Sequence, residues 1–203
     1  MDEFWIYLRL GFAHITDPGG YDHILFVVAL CAIYTLQQWK QVLILVTAFT
    51  LGHSITLALA TLQLIRYSTD LIELLIPVTI LITAIANFGH KFPASRFSQE
   101  KRQSIPRYVL ALAFGLVHGL GFSNYLRSLL GGGTEIIRPL LAFNLGLEAG
   151  QLLIVLVILL IAQIIVDLMR VRKHDWNLVT SGIVAGMALS LLIANEYLSE
   201  LLK

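Results

Sequence analysis

Charge is scarce in this chain. Only 13% of its 203 residues are Asp, Glu, Lys or Arg, against about 25% in a soluble domain. With 57% hydrophobic residues and a mean hydropathy of +0.79, the shortage excludes an ordinary water-soluble globule and predicts a polytopic membrane protein. Cysteine is nearly absent. The single Cys31 excludes an intramolecular disulfide, and its apolar neighbours make it a packing residue. No basic cluster is interleaved with aromatics and the net charge is +1, so nothing here suits a nucleic-acid partner. The Met-Asp-Glu start lacks the positive n-region and small-residue cleavage site of a signal peptide, so the first segment is expected to persist.

What the chain has instead is apolar length. Runs long enough to span a bilayer occur at about 22–38, 41–64, 69–90, 107–127, 138–167 and 178–199. They predict an all-α fold, a six-span helix bundle forming a single transmembrane domain over 1–203. The first run is apolar without interruption only from Ile24 to Tyr34, so it counts as a span only with Asp22-His23 included. The fifth exceeds the bilayer and is expected to tilt or protrude. Residues 1–20 read as an interfacial amphipathic segment, with Trp5 and Tyr7 suited to the headgroup level. Pro18-Gly19-Gly20 breaks the backbone just ahead of Asp22.

The basic residues set the expected orientation. Lys40, Lys91, Arg96, Lys101, Arg102, Arg107, Arg170, Arg172 and Lys173 fall in loops that alternation puts on one side, 9 of the 14. Arg9, Arg66, Arg127, Arg138 and Lys203, the other 5, fall opposite. The positive-inside rule then places both termini outside the cytoplasm.

Against this apolar background, several polar groups stand out: Asp22-His23, His53, His118 and the set Asn144, Glu148 and Gln151. Ionisable groups inside membrane segments are rare and usually functional, and imidazole with carboxylate is transition-metal chemistry. Helical rise puts His53 roughly 20 Å above Lys40, His23 roughly 25 Å above it, His118 roughly 16 Å above Arg107 and Glu148 roughly 15 Å below Arg138. In a hydrocarbon core of about 30 Å, all four fall between the midplane and the outer third.

Helix faces narrow the choice. Thr50, His53 and Ser54 share one face of span two, continued by Thr47 and Thr61 and interrupted by Leu57. Gly115, His118, Gly119 and Phe122 share a face of span four whose glycines permit close approach. Each group has a bland alternative. The hydroxyls can bond carbonyls one turn back, and a lone membrane histidine can simply bond a neighbouring helix. Three histidines at one depth with a carboxylate favour a site. His14, followed by Asp17 and Asp22, is a further candidate ligand, whereas His174 reads as a solvated loop residue. Glu73, Pro77, Thr83, Asn87 and His90 form a stripe on span three, either an ordinary proline kink or a polar track toward the cytoplasm.

Four ordered segments carry a family resemblance: Gly-Tyr-Asp-His-Ile-Leu-Phe (20–26), Phe-Thr-Leu-Gly-His-Ser-Ile-Thr-Leu (49–57), His-Gly-Leu-Gly-Phe (118–122) and Phe-Asn-Leu-Gly-Leu-Glu-Ala-Gly-Gln (143–151). From about residue 11 through span five, the chain resembles the HupE/UreJ family, small membrane proteins often encoded with hydrogenase or urease systems. The resemblance implies nickel or cobalt permeation, with motif residues falling on Asp22, His23, His53, Ser54, His118, Asn144 and Glu148. It also implies an integral protein of the bacterial inner (cytoplasmic) membrane.

The resulting expectation is a transporter binding a divalent transition metal ion (Ni, Co or Zn). The ligands would come from His23, His53, His118, Asp22, Glu148 and His14. Ser54, Asn144 and Gln151 would be supporting groups that fix ring tautomers, and Glu73, Thr83, Asn87 and His90 would form the path. Nickel or cobalt suits nitrogen and oxygen ligands without thiolate. The rival from another class is a membrane-embedded zinc hydrolase using the same histidines and a carboxylate. A metal-binding accessory subunit without turnover is a third reading. The expected partners are the metal ion and the lipid bilayer, with homo-oligomerisation left open.

Overall fold

The computed structural model describes residues 2–92, 100–130 and 136–201, and for 100–104 the backbone only. Arg96 and Lys203 of the charge count, and the side chains of Lys101 and Arg102, lie outside this description. Among these residues eight α-helices follow one another: α1 (Glu3–Thr16), α2 (Asp22–Cys31), α3 (Trp39–Thr61), α4 (Thr69–Phe88), α5 (Glu100–Leu130), α6 (Ile137–Gln163), α7 (Lys173–Ile193) and α8 (Glu196–Leu201). No strand occurs among the described residues. Among the described residues, five stretches are long and apolar enough to cross a membrane: Leu36–Thr61, Thr69–Phe88, Ile105–Leu130, Ile137–Leu168 and Lys173–Ile193. The protein is a helical membrane bundle.

Glycines set the closest helix pairs. Gly52 of α3 lies against the backbone of Leu112 and Leu116, while Gly115 and Gly119 of α5 lie against the backbone of Phe49 and His53. A Cβ at any of the three would enter the facing backbone, so only glycine allows this approach. The pairing runs α3 and α5 parallel. Gly11 of α1 meets Phe143 and Leu147 of α6 in the same manner, and Gly146 meets Leu8 and Phe12. Together with the Asp2–Arg138 ion pair, these contacts run α1 parallel to α6.

The first predicted span takes a different form from the expected 22–38. Its α-helix is α2, ten residues long and therefore about 15 Å, too short to cross alone. A 3-10 turn at Leu36–Gln38 leads directly into α3. The missing length is supplied from upstream. The segment expected at the headgroup level, 4–15, lies in α1, with Trp5 exposed near its start and Ile15 fully buried near its end. After the break at Asp17–Tyr21, α2 continues in the same direction along α6, and Gln37 reaches Asp167 at the far end of that helix. α1 and α2 thus form one discontinuous element.

Helix directions gather the basic loops at one end. His90 and Arg107 are in contact, and Phe92 meets His174 edge-on at the start of α7. The described members of the larger basic group therefore share the end where α3, α5 and α7 begin and where α4 and α6 finish.

Candidate metal centre

The break in the first element creates the site. Pro18-Gly19-Gly20 forms a 3-10 turn capped by the Asp17 carboxylate, which accepts from the Gly19 N–H at 2.8 Å. Irregular backbone at membrane depth is tolerated where it lines a cavity, and this segment faces two. Gly19, Gly20 and Asp22 line a cavity of about 680 Å³ with Asp70, Glu73 and Pro77. Pro18 and Asp17 line a second of about 500 Å³ with His14, Phe122 and Tyr125. His14 stands in the last turn of α1, while Asp22 and His23 open α2.

Four imidazoles converge there. His14 and His23 have ring centroids 4.6 Å apart, His23 and His118 5.2 Å, and His53 lies 6.3 Å from both His14 and His23. Ligand atoms of His14, His23 and His53 all lie within 4.8 Å of one another, as do those of Asp22, His23 and His118. His23 belongs to both groups. The walls are aromatic: Phe26 and Phe49 pack on His118, and Phe122 stacks on Phe143 beside His14.

The bare nitrogens are the telling feature. His14 Nε2, His23 Nε2, both nitrogens of His53 and His118 Nδ1 are buried without a hydrogen-bond partner. Buried polar atoms are normally satisfied, at a cost of about 1–3 kcal/mol each when they are not. Two of the rings also have their tautomer set. His23 Nδ1 lies 3.1 Å from Asp22 Oδ1; an ionised carboxylate only accepts, so Nδ1 carries the proton and Nε2 presents a lone pair. The Thr79 hydroxyl has one proton and donates it to the Ile76 carbonyl at 2.7 Å. His118 Nε2, 3.1 Å away, must then donate to Thr79, leaving Nδ1 as the lone pair. Such outer partners orient metal-binding imidazoles. Thr79→Val, which keeps the side-chain shape, is expected to weaken metal binding roughly 10- to 100-fold without unfolding the protein. Chelator competition on the purified variant measures this.

The other candidates take different places. Glu148 belongs to neither ligand group; its Oε1 accepts from Thr47 at 3.0 Å at the outer edge of the α3–α6 contact. Asp22 is the carboxylate beside the histidines. The Glu148 side chain leaves the helix on the face opposite the one Gly146 and Gly150 present to α1. Gln151 is fully buried and accepts from Thr50 at 2.6 Å, with its Nε2 unpartnered. Asn144 likewise has a buried, unpartnered Oδ1. Ser54 bonds the Thr50 carbonyl at 2.7 Å, the one-turn-back alternative.

On the α4 stripe, Glu73 lies at the cavity mouth and Thr83 bonds the Thr79 carbonyl at 2.8 Å. Asn87 is fully buried and engaged on every side: its amide donates to Ala29 O at 2.7 Å and Ser181 Oγ at 3.3 Å, and its Oδ1 accepts from Arg107 at 3.2 Å. Its carbonyl accepts from Asn177 at 2.7 Å. Burial and then the Arg107 guanidinium push the His90 imidazole down to about 4. The inner end of the stripe is a tied knot. Thr79 went unnoticed in the sequence, although it sits one turn before Thr83 on that stripe.

The fold and the cluster define an integral helical membrane protein with a buried group of histidines and a carboxylate suited to a metal ion. The family model for HupE / UreJ proteins matches residues 1–199, and the chain belongs to the HupE/UreJ family. The match extends beyond the four quoted segments to nearly the whole chain. No curated protein and no solved structure matches it.

Proposed function

We propose that this protein carries a divalent transition metal, nickel or cobalt, across the membrane through the cluster of His14, His23, His53, His118 and Asp22. The observation that carries this reading is the set of buried lone pairs converging from four helices. Neutral imidazoles in fixed tautomers are poor packing and good ligands. Asp22 supports it further, because the same carboxylate sits beside His23 and lines the cavity bearing Asp70, Glu73, Glu196 and Glu200. A cavity rich in carboxylates raises the local concentration of a cation. Discontinuous membrane helices with ion sites at the break are also a recurrent transporter device. The metal is then received from the mouth formed by the α4 start and the α7 end. The nine-to-five split of basic residues assigns that mouth to the non-cytoplasmic side.

Purified protein is expected to retain about one divalent ion per chain and to accumulate radiolabelled nickel or cobalt in proteoliposomes. A reporter fused after Lys203 should be active outside the cytoplasm, and one inserted near Gln99 inside it. The opposite reporter pattern would turn the acidic mouth toward the cytoplasm and make export the natural direction.

One observation favours the hydrolase alternative. The cavity of about 500 Å³ beside His14 is lined by Leu10, Phe122 and Tyr125, an apolar opening that suits an acyl chain. Retained metal with no accumulation, together with cleavage of lipid or peptide, would decide for a zinc enzyme.

A further inference from the structure

The break in the first element has a carboxylate at each end, and the two face different cavities. Asp22, next to His23, lines the acidic cavity of about 680 Å³. Asp17, one turn after His14, is exposed and lines the cavity of about 500 Å³ between α1 and α5. Ala13 and Tyr125, which also line this second cavity, are exposed, so it opens on the surface of the bundle. It has room for a divalent ion with a shell of about six waters, each taking about 30 Å³.

The Phe122 ring stands where that cavity meets the histidines. His14 lines the cavity, yet its Nε2 is buried and has no hydrogen-bond partner. Phe122 lines the same cavity and lies 3.9 Å from the His14 ring, centroid to centroid. It also stacks on Phe143 at 5.0 Å and meets Tyr125 at 5.1 Å. Phe122 is only partly buried, and the cavity gives its ring space to turn into.

We infer that the metal centre has a second mouth, the cavity between α1 and α5, where Asp17 receives a divalent cation and Phe122 is the shutter in front of His14. The inference rests on the metal reading of the cluster and adds a route to it. With the Phe122 ring against His14 this mouth is shut, and the ion uses the acidic cavity. With the ring turned away, His14 meets an ion held by Asp17. The ion then reaches His23 and His53, whose ligand atoms lie within 4.8 Å of that of His14. Each mouth pairs one carboxylate with one histidine, Asp22 with His23 and Asp17 with His14. A shutter lies on the path and not in the bound site, so it sets how fast the ion comes and goes and leaves the affinity unchanged.

The tests use the whole chain. Phe122→Ala is expected to speed nickel association and dissociation by the same factor, roughly 10-fold, with Kd within a few-fold of wild type. Adding Tyr125→Cys and blocking it with a bulky maleimide should return both rates to wild-type values; the native Cys31 is buried. The same label at Leu129→Cys, exposed one turn farther on α5 and outside the cavity lining, should not. Asp17→Asn, which keeps an acceptor for the Gly19 N–H, should remove part of the gain. Diethylpyrocarbonate gives a metal-free readout. It should modify His14 several-fold faster in Phe122→Ala than in wild type, as mapped by mass spectrometry, and the maleimide at position 125 should prevent the increase. Where Phe122→Ala does not fold, Phe122→Leu carries the same two expectations. Unchanged exchange rates in protein that binds nickel, or unchanged His14 modification, overturn the inference. So does faster dissociation alone with weaker binding, since Phe122 would then shape the bound site. Acceleration that survives the maleimide overturns it too, because the route would lie elsewhere. Wild type that retains no nickel refutes the metal reading instead, and His14 modification then decides whether the shuttered opening exists.

Discussion

Replacing His53 by leucine is expected to abolish metal retention while leaving the metal-free protein as stable as wild type, or more so. His53 is fully buried, and neither ring nitrogen has a hydrogen-bond partner. As a core residue it is a poor choice, since each orphaned polar atom costs about 1–3 kcal/mol. Leucine fills comparable space without that penalty, and the α3–α5 backbone contact at His53 does not involve its side chain. The loss in metal affinity should be on the order of 100-fold or more, beyond the effect of removing an outer partner. Elemental analysis and thermal unfolding with and without nickel give both quantities. In wild type the ion should raise the unfolding temperature, and in His53→Leu that shift should vanish. If the variant keeps its metal and unfolds earlier, His53 is a packing residue.

The second large effect is expected at Asn87, and it is structural. Reading the α4 stripe alone suggests that Asn87→Leu would leave metal binding intact and block passage. The tertiary contacts point elsewhere. The side-chain amide joins Ala29 of α2, Ser181 of α7 and Arg107 of α5 in a fully buried site. Leucine would leave the Ala29 carbonyl with only the 3.4 Å bond from the Ala32 N–H and deprive the partly buried Arg107 of an acceptor, a loss of roughly 3–5 kcal/mol. Asn87→Leu should therefore reduce the yield of folded protein and lower its unfolding temperature by many degrees. A variant as stable as wild type that binds metal and fails to move it would restore the path role.

The same knot responds to acid. His90, at about 4 instead of its ordinary 6.5, binds fewer protons folded than unfolded between those values. Its contribution is full above about 6.5 and is lost as pH falls toward 4.

The departure of Glu148 from its expected place shows where reading by depth stops. Rise per residue fixes how far along a helix a group lies, which is why His23, His53 and His118 were found at one level. It does not fix which way the helix is turned. Gly146 and Gly150 are pressed onto α1, so Glu148, half a turn from each, faces α3 and the lipid.

The sequence by itself determined the class of protein, the long spans, the side on which basic loops gather and the residue types of the centre. These follow from composition, from apolar runs matched to bilayer thickness and from helical periodicity, all of which are local. Only the tertiary structure decided that α1 and α2 share one passage along α6. Neither half is long enough to cross, and their stacking depends on glycine contacts between segments more than a hundred residues apart. That arrangement brings His14 beside His23, makes Asp22 the nearby carboxylate and gives Thr79 to His118. It also turns Asn87 from a stepping stone into a fastening. Each of these depends on which helix faces meet, and packing sets the faces where a single chain of letters records only their order.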